Sequence, residues 1–258
     1  MSGAPARLLD VLRFSVGTLT AIPVPPPSSV AREVTRPAMV LAPLAVLPLG
    51  ALAAAVLWAG RELGLAPVAV AATAVAALAL GSRAFHLDGL ADTADGLTCS
   101  YDAERSLQVM LRGDAGPAGA SALVLVLGIQ IGALTSIQHS PWGPLLAGAL
   151  VCASRGAAVV MSLRGVKPAR QSGLASSYVD SMSPWTAVAS WTVLTALVAG
   201  VFVLDDQPWW RALVCTAVAL AAIGWLIRRA TRRLGGVAGD VYGASIEISL
   251  ALMLLAAS

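Results

Sequence analysis

The chain has 258 residues, of which 57% are hydrophobic and 12% are charged, and its formal net charge is +3. A soluble domain of this length usually carries about 25% charged residues. The composition therefore argues against a soluble enzyme and predicts one integral membrane domain over residues 1–258. Its three cysteines, Cys99, Cys152 and Cys215, lie far apart in sequence. They predict neither a disulfide framework nor a thiolate metal site.

The first 36 residues are predicted to lie on the membrane surface. Apolar residues recur there at helical spacing: Leu8, Leu9, Leu12, Val16 and Leu19. This pattern predicts an amphipathic helix in the membrane interface. Asp10 and Arg13 interrupt what would be the apolar part of a signal peptide, and no small-residue cleavage site follows, so a cleaved signal is not expected. The prolines of "PVPPPSS" then end the helix.

Seven apolar stretches are candidates for membrane-spanning helices, which need about 20 residues each. They are residues 37–60, 66–85, 117–137, 142–163, 184–204, 209–227 and 241–257. Backbone polar groups in lipid must be paired internally, so each span should be a helix. The predicted fold is therefore all-α, a polytopic integral membrane helix bundle with about seven transmembrane helices and an N-terminal interfacial helix.

The basic residues predict the orientation of these spans. With seven spans, thirteen arginines and lysines lie on the side of the N-terminus, and only Arg61 and Arg211 lie on the other side. The positive-inside rule then places the N-terminus in the cytoplasm. Most acidic residues lie on the same side, so the chemically equipped face is predicted to be cytoplasmic.

The stretch "FHLDGLADTADGL", residues 85–97, holds three aspartates directly after an apolar run. Asp88, Asp92 and Asp95 are spaced i, i+4 and i+7, which places them within about 60° of one helical face. Like charges on one face repel each other, so the spacing predicts a divalent cation that offsets the repulsion. Carboxylate oxygens without thiolates favour Mg²⁺, Mn²⁺ or Ca²⁺ over zinc.

Two glycines and a histidine accompany these aspartates. Gly89 and Gly96 are predicted to leave a bare flank where a phosphate-bearing ligand approaches the backbone. His86 is open to two interpretations, a ligand or a hydrogen-bonded structural residue. The alternative for the whole stretch is a solvated acidic turn with Asp88 as a helix cap. Carboxylates at membrane depth are functional by default, which favours a site.

The stretch "SLRGVKPARQSGLASSYVD", residues 162–180, carries Arg164, Lys167 and Arg170. Such side chains can hold anionic substrate groups, and arginine can clamp a phosphate bidentately. Ordinary cytoplasmic positive charge explains Arg164 and Lys167 equally well. Arg155 differs because it lies inside a predicted span, where it needs a carboxylate or a substrate phosphate as its partner.

The stretch "RRLGGVAGDVYGASIEIS", residues 232–249, is a second acidic segment. Asp240 and Glu247 are seven residues apart and share one helical face, and Glu247 lies about two turns inside an apolar helix. Gly236 and Gly239 precede or open that helix, which predicts a phosphate cradle at its N-terminus. The alternative is that these glycines serve helix packing in the membrane.

Together these patterns predict a Mg²⁺-dependent phosphoryl-type transferase at the membrane surface, since such chemistry depends on positioning and charge neutralisation. The residues alone do not name its substrate.

In four stretches, the sequence resembles a known protein family. "RAFHLDGLADTADGL" is similar to the signature of the cobalamin (5'-phosphate) synthase or adenosylcobinamide-GDP ribazoletransferase family. "TAIPVPPP", "SR" with "PARQSGL", and "GGVAGDVYGASIEIS" agree in the same order. The resemblance implies joining of α-ribazole, or its 5'-phosphate, to adenosylcobinamide-GDP with release of GMP and a requirement for Mg²⁺. It also implies a multi-pass protein of the bacterial inner membrane, as a homo-oligomer or in a complex with other cobalamin-assembly enzymes, and no nucleic acid partner.

The resemblance implies roles for individual residues. Catalytic roles fall to His86, Asp92 and Asp95, with Asp95 as a metal ligand or as the base that takes the hydroxyl proton. The implied metal ligands are Asp88, Asp92, Asp95, Asp240 and Glu247. The implied substrate-binding residues are Arg155, Lys167, Arg170, Gly89, Gly96, Gly236 and Gly239.

Some positions depart from the family pattern. The chain reads "LRGDAGPAG" where many relatives have a "KDSRIG"-like segment, which leaves the role of Asp114 open. It also reads "AGD" where many have "TGD", and Leu250 stands where an acid is common. These departures bear on the second acidic site and leave the family resemblance intact.

Two other functions are kept as alternatives. A CDP-alcohol phosphotransferase has aspartates at comparable spacing, but its signature carries an "AR" pair after the first "DG", where this chain reads "DGLADTADG". A transporter with intramembrane carboxylates usually shows inverted repeats and broken helices near the midplane. No such repeat is evident here. Substrate-dependent release of GMP would separate the three.

Overall fold

The computed structural model describes residues 4–170 and 173–258 and consists of α-helices and one 3₁₀ turn, Leu174–Ser177. The helices are α1 (Ala4–Leu19), α2 (Arg32–Val40), α3 (Ala42–Ala45), α4 (Leu47–Glu62), α5 (Pro67–Gly81), α6 (Phe85–Cys99), α7 (Ala103–Met110), α8 (Pro117–Ile137), α9 (Gly143–Ser154), α10 (Ala157–Met161), α11 (Pro184–Leu204), α12 (Arg211–Leu234) and α13 (Gly239–Ala257). The described residues contain no β-strand, and the predicted all-α class is confirmed.

Five helices in the described ranges are long and apolar enough to cross a membrane: Pro117–Ile137, Gly143–Met161, Pro184–Leu204, Arg211–Leu234 and Gly239–Ala257. They correspond to the last five predicted spans. A sixth span results if the bent pair α5 and α6 is taken as one. The polytopic helical architecture is therefore confirmed, with five or six candidate spans in place of about seven.

The first two predicted spans are interrupted. Residues 37–60 are divided among α2, α3 and α4, with Pro37 inside α2 and prolines at the first turns of α3 and α4. Proline lacks the backbone N–H that a continuous helix requires. With 16 residues, α4 is about 24 Å long, which is shorter than the roughly 30 Å of hydrocarbon.

The second predicted span ends early because the chain turns. Helix α5 ends at Gly81, and Arg83 and Ala84 adopt left-handed backbone conformations with φ of 57° and 54°. Helix α6 then leaves at 91° to α5. Hydropathy alone cannot detect this turn, since it depends on two backbone conformations that non-glycine residues rarely adopt.

Helix α13 lies at the centre of the bundle. In α13 and in the combined helix Gly143–Met161, 72% and 78% of the apolar window is buried, against 22–33% in α8, α11 and α12. The outer helices therefore present their apolar side chains to the surroundings, as lipid-facing helices do. Helix α6 packs against α13, α8 and α7, and it places the motif of residues 85–97 beside the first turns of α8 and α13.

The predicted N-terminal helix is present as α1. Val11 and Phe14 are buried against the protein, whereas Leu8, Leu9 and Leu12 are exposed. Insertion of the exposed leucines into the membrane interface remains a prediction. Residues 20–31 follow without helix, as the prolines predict. Asp10 binds this segment by accepting hydrogen bonds from the backbone N–H and the hydroxyl of Ser28.

Candidate active site

A cavity of about 390 Å³ lies where α1, α6 and α13 meet the loop between α10 and α11. Its wall carries Asp88 and Asp92 of α6, Asp240 of α13, and Arg170 and Tyr178 of the loop. The structure thus brings residues from three separate sequence motifs into one space.

The α6 wall holds the first two aspartates of the motif. Asp88 is exposed, and Asp92 is 8% exposed. Asp88, Asp240 and Asp95 all act on Asp92 as like charges. Helix α6 begins at Phe85 with Ala84 as its N-cap, so Asp88 is not the helix cap of the alternative interpretation. Asp88 and Asp92 therefore form an acidic wall whose mutual repulsion favours a cationic ligand.

Asp95 lies outside this wall, although it shares the same helical face. Its carboxylate accepts hydrogen bonds from the N–H of Gly116 at 2.7 Å and of Gly119 at 2.9 Å. It thereby caps α8, whose own N-cap, Gly116, has no side chain. Asp95 lies about 10 Å from Asp88 along the axis of α6 and therefore contacts the start of α8 and not the cavity. In this arrangement Asp95 is a structural cap, which speaks against its predicted role as a metal ligand or base.

The two acids of the second motif also separate. Asp240 lies in the first turn of α13, faces the cavity and is near Arg170. Glu247 lies two turns deeper and is only 6% exposed. One of its carboxylate oxygens accepts a hydrogen bond from Nε2 of Gln130 at 2.8 Å. The other lies 3.9 Å from Nδ1 of His86. Glu247 is therefore part of the bundle interior and not of the cavity wall.

Arg155 is the most deeply buried charge of the described residues. It donates to the carbonyl oxygen of Val151 at 3.0 Å and to Oγ of Ser154 at 2.9 Å, and its Nε has no partner. Glu247 attracts it electrostatically, although the two do not form an ion pair within 4 Å. Glu247 is thus the carboxylate that acts on Arg155 across the bundle interior, without direct contact. A direct contact between Arg155 and substrate is not supported, since Arg155 does not line the cavity.

His86 connects the cavity with this interior group. It is 2% exposed and lines the cavity, and neither ring nitrogen has a hydrogen-bond partner. An unpaired buried polar group costs free energy. His86 is therefore available to a ligand in the cavity, and Glu247 and Arg155 are the charges behind it.

The predicted phosphate-binding cations behave differently from each other. Arg170 lines the cavity and donates to the carbonyl oxygen of Leu107 at 2.5 Å, which fixes its guanidinium at the cavity, where its charge also acts on Asp240. Lys167 is exposed and contributes only its backbone, whose carbonyl accepts a hydrogen bond from the N–H of Val237 at 2.8 Å. The structure therefore places Arg170 at the cavity and Lys167 away from it.

Two predicted ligand-binding glycines serve helix packing instead. A Cβ on Gly89 would lie 2.6 Å from the carbonyl oxygen of Asp240, so α6 and α13 touch there through backbone atoms. A Cβ on Gly96 would lie 2.5 Å from the side chain of Met110 in α7. The predicted bare flank is thus covered, because small residues allow helices to approach closely.

The glycines before α13 divide in the same way. Gly236 packs against the backbone of residues 167–169, where a side chain would collide. Gly239 lines the cavity and has open space around it. Ala238, the N-cap of α13, provides no side-chain cap, and Ala238, Gly239 and Asp240 line the cavity, so the N-terminus of α13 lies at the cavity. Of the two, only Gly239 fits the predicted phosphate cradle.

Two tyrosines that were not predicted from the sequence also line the cavity. The rings of Tyr178 and Tyr242 pack edge to face with centroids 5.0 Å apart. The hydroxyl of Tyr242 lies 2.9 Å from Oγ of Ser162. Burial raises the pKa of Tyr178 above its usual range, so its hydroxyl stays protonated and can donate to a ligand. Tyr242 lies between Asp240 and Glu247 in the second acidic segment, and this position could have identified it as a site residue.

Gln130 is a further buried polar residue that was not predicted from the sequence. It is 2% exposed, and the two hydrogen bonds of its amide both go to Glu247. The available signal was a lone amide inside an otherwise apolar span, which requires a buried partner.

The oxygen ligands of the cavity suit a Mg²⁺ ion that is also bound by substrate phosphates and water. No group of three or more His, Cys, Asp or Glu residues in the described parts of the chain is arranged to hold a metal ion alone. Mg²⁺ usually takes one or two carboxylates and fills its remaining positions with water and substrate phosphates. Asp88, Asp92 and Asp240 supply hard oxygen ligands without thiolates, which suits such a shared site.

Comparison with known proteins identifies the family. The family model described as Cobalamin-5-phosphate synthase matches residues 11–258. The chain is 49% identical over 247 residues to the adenosylcobinamide-GDP ribazoletransferase of Nocardioides sp., covering 96% of this chain and 97% of that protein. It is 33% identical to the enzyme of that name from Frankia casuarinae, covering 94% and 92%. For the one from Klebsiella pneumoniae the identity is 34%, covering 92% and 95%.

No solved structure matches the chain. The match to the family model covers the three predicted site stretches, residues 85–97, 162–180 and 232–249, and the relatives bear the name of an enzyme. The chain belongs to the cobalamin-5-phosphate synthase family.

Proposed function

We propose that this protein is a Mg²⁺-dependent adenosylcobinamide-GDP ribazoletransferase. It joins α-ribazole, or its 5'-phosphate, to adenosylcobinamide-GDP and releases GMP, with its active site at the cytoplasmic face of the inner membrane. One observation carries the proposal: in a chain of this family, Asp88, Asp92, Asp240 and Arg170 meet at a single cavity.

The reaction requires that an alcohol attack a phosphate of a diphosphate. The ribazole 3'-hydroxyl forms a bond to the cobinamide-linked phosphorus, the bridging P–O bond breaks, and GMP leaves with the bridging oxygen. The hydroxyl proton passes to a base. Asp95 is occupied by the N–H groups of α8, so a carboxylate of the cavity wall must accept this proton. Asp92 is the most buried of these and is the base of choice.

The remaining cavity groups position the diphosphate. Arg170 can clamp a phosphate because its guanidinium is already held by the carbonyl of Leu107. The uncapped N–H groups at the start of α13, beside Gly239, suit a second phosphate. His86 and Tyr178 can donate hydrogen bonds from the cavity wall. Mg²⁺, if held by Asp88 and Asp240 together with phosphate oxygens, would neutralise the charge that develops on the phosphates and would leave Asp92 to accept the proton.

The test is GMP release by the detergent-purified protein, given adenosylcobinamide-GDP with and without α-ribazole and with Mg²⁺ or a chelator. We expect release only when both substrates and Mg²⁺ are present. Asp92→Asn should lower the rate at least about a hundredfold. Asp102→Asn is the matched control, because Asp102 only caps α7 and asparagine caps a helix as well as aspartate.

Each alternative gives a different result in this assay. GMP release without α-ribazole would indicate a hydrolase and would overturn the transferase. Corrinoid binding without GMP release, under conditions where a relative is active, would indicate binding or transport. Activity on a CDP-alcohol without activity on adenosylcobinamide-GDP would indicate a lipid-synthesising phosphotransferase.

The proposed orientation has its own test, which uses natural Cys99. Cys99 is exposed beside the basic end of the bundle. In a Cys152→Ala, Cys215→Ala background, a membrane-impermeant maleimide should label Cys99 in inside-out vesicles and not in right-side-out vesicles. Leu63→Cys in a background without natural cysteines should show the reverse, since Leu63 is exposed in the connection between α4 and α5. Labelling of Cys99 from the outside would refute the orientation.

A further inference from the structure

A second cavity, of about 600 Å³, lies on the side of α6 away from the acidic wall. Helices α6, α8, α12 and α13 enclose it, and its floor is apolar, formed by Leu90, Leu97, Ala122, Val126, Leu226 and Ile248. At about 100° per residue, Leu90 and Leu97 lie on roughly the opposite side of α6 from Asp88 and Asp92. We refer to this cavity as the α6–α12 groove. It is separate from the candidate active site.

Three arginines form one rim of the α6–α12 groove. Arg228, Arg229 and Arg232 line it and are exposed. In the described residues none of the three has a carboxylate within 4 Å or a side-chain hydrogen bond. Their neighbour Arg233, by contrast, stacks on the ring of Tyr101 at 4.3 Å and donates to the carbonyl of Ser100. The rim therefore keeps three unpaired cations over an apolar floor.

A buried hydroxyl points to a ligand in the same groove. Thr93 lines it and is only 3% exposed, and its Oγ1 has no hydrogen-bond partner. Threonine in a helix often bonds its Oγ1 to a carbonyl of the preceding turn, as Thr98 does in α6 at 2.8 Å. The unpaired hydroxyl of Thr93 thus leaves a polar contact for an occupant of the groove.

We propose that the α6–α12 groove binds an anionic phospholipid. The phosphate of its headgroup would pair with Arg228, Arg229 and Arg232, since arginine matches phosphate geometry. An acyl chain would lie on the apolar floor between α8 and α12, both of which are candidate membrane spans. Basic pockets between membrane helices are a recognised way of binding anionic headgroups. Trp225, 57% exposed on the groove wall, suits the level of the membrane interface.

Trp225 also allows a direct test that does not depend on the enzymatic reaction. The full-length protein is reconstituted in nanodiscs of phosphatidylcholine in which about a tenth of the lipid is brominated. The brominated lipid is either phosphatidylglycerol or phosphatidylcholine, and bromine quenches a tryptophan that it contacts. The Trp225→Phe variant isolates the contribution of Trp225 from those of the other six tryptophans.

We expect brominated phosphatidylglycerol to quench Trp225 more strongly than brominated phosphatidylcholine, with an effective enrichment of roughly tenfold. Replacement of Arg228, Arg229 and Arg232 by glutamine should remove this difference. The control replaces Arg36, Arg105 and Arg164 by glutamine, which removes the same charge from exposed sites outside the groove. The control should keep the difference. Thr93→Val should reduce it, because valine retains the shape and removes the hydroxyl.

Equal quenching by the two brominated lipids would overturn the proposal and would indicate a general lipid-facing surface. Loss of the difference in the control variant as well would also overturn it, since the attraction would then come from net charge alone. The three single arginine-to-glutamine variants serve if the triple variant does not fold. Each is expected to lower the preference at least about twofold, and no change in any of them would contradict the site.

Discussion

The acids of this protein fall into two groups that differ in their surroundings. Asp88, Asp92 and Asp240 line the cavity, and their side chains have no hydrogen bond to, or ion pair with, another residue in the described parts of the chain. Asp95 and Glu247 belong to the same two motifs, but protein donors bind both carboxylate oxygens of Asp95 and one of Glu247. Asp92 is the buried member of this group, and a buried carboxylate without a partner is costly. The first group therefore indicates a ligand site, and the second group holds helices together.

The largest effect is expected for a change in the first group. Asp88→Asn should lower the rate of GMP release at least about a hundredfold. The melting temperature in detergent should not fall, because the substitution removes a like charge near Asp92. Enzyme assays and thermal unfolding on the same preparation test both statements. Retained activity would place Asp88 with the solvated surface acids.

One added methyl group should disrupt the close packing of α6 against α13 next to the cavity. Gly89→Ala should destabilise the protein by about 1–3 kcal/mol, because its Cβ would meet the carbonyl oxygen of Asp240 and force α6 and α13 apart. Activity should fall as well, since Asp88 and Asp92 would move. Gly239→Ala is the matched control, with open space around the added methyl group. Denaturation in mixed micelles measures the difference, and equal stability of the two variants would contradict close packing at Gly89.

The role of Glu247 in the bundle interior can be tested by changing its hydrogen-bond donor, Gln130. Gln130→Leu should destabilise the protein by about 1–3 kcal/mol, because it leaves a carboxylate oxygen of Glu247 buried and unpaired. In a double-mutant cycle with Glu247→Gln, the two losses should be less than additive by at least about 0.5 kcal/mol. Unfolding in mixed micelles provides the four values. Full additivity would show that the two side chains do not depend on each other.

A smaller effect is expected at the cap of α8. Asp95→Ala should lower the free energy of unfolding by about 1–2 kcal/mol through loss of the two bonds to Gly116 and Gly119. The folded variant should keep GMP release within about tenfold of wild type, which separates it from Asp88→Asn. An Asp95→Ala variant that is as stable as wild type but inactive would move Asp95 into the catalytic group.

The smallest effect is expected at Asp10, a satisfied acid outside the bundle. Hydrogen bonds from Ser28 lower the pKa of Asp10 below its ordinary value. This stabilisation is therefore present above the unfolded pKa and is lost as the pH falls through the folded pKa. Asp10→Asn should lower the melting temperature by at most a few degrees near pH 6, and the difference from wild type should shrink below about pH 4. A difference that does not depend on pH would exclude the carboxylate as its source.

The sequence predicted most of the helices and the identity of the critical segments. The spans 117–137 and 184–204 agree with α8 and α11 to the residue, because each begins at a proline, which suits the first helical position, and continues as a long apolar run with no further proline. The motif at 85–97 forms a helix with the predicted aspartate spacing. Predictions failed where a turn or a neighbour decides the result: the break at Arg83 and Ala84, the divided span at 37–60, and the packing of Gly89.

The sequence by itself determined the class of the protein, the positions of its main helices, its family and the two acidic motifs. Helical periodicity gives the direction of a side chain around its own axis, so it placed Asp88, Asp92 and Asp95 on one face. Only the tertiary structure decided which acid meets a cavity and which meets a helix end. That choice depends on contacts such as Asp95 with Gly119 or Glu247 with Gln130. These join residues far apart in the chain, whose relative positions follow from packing of whole helices and not from any local pattern.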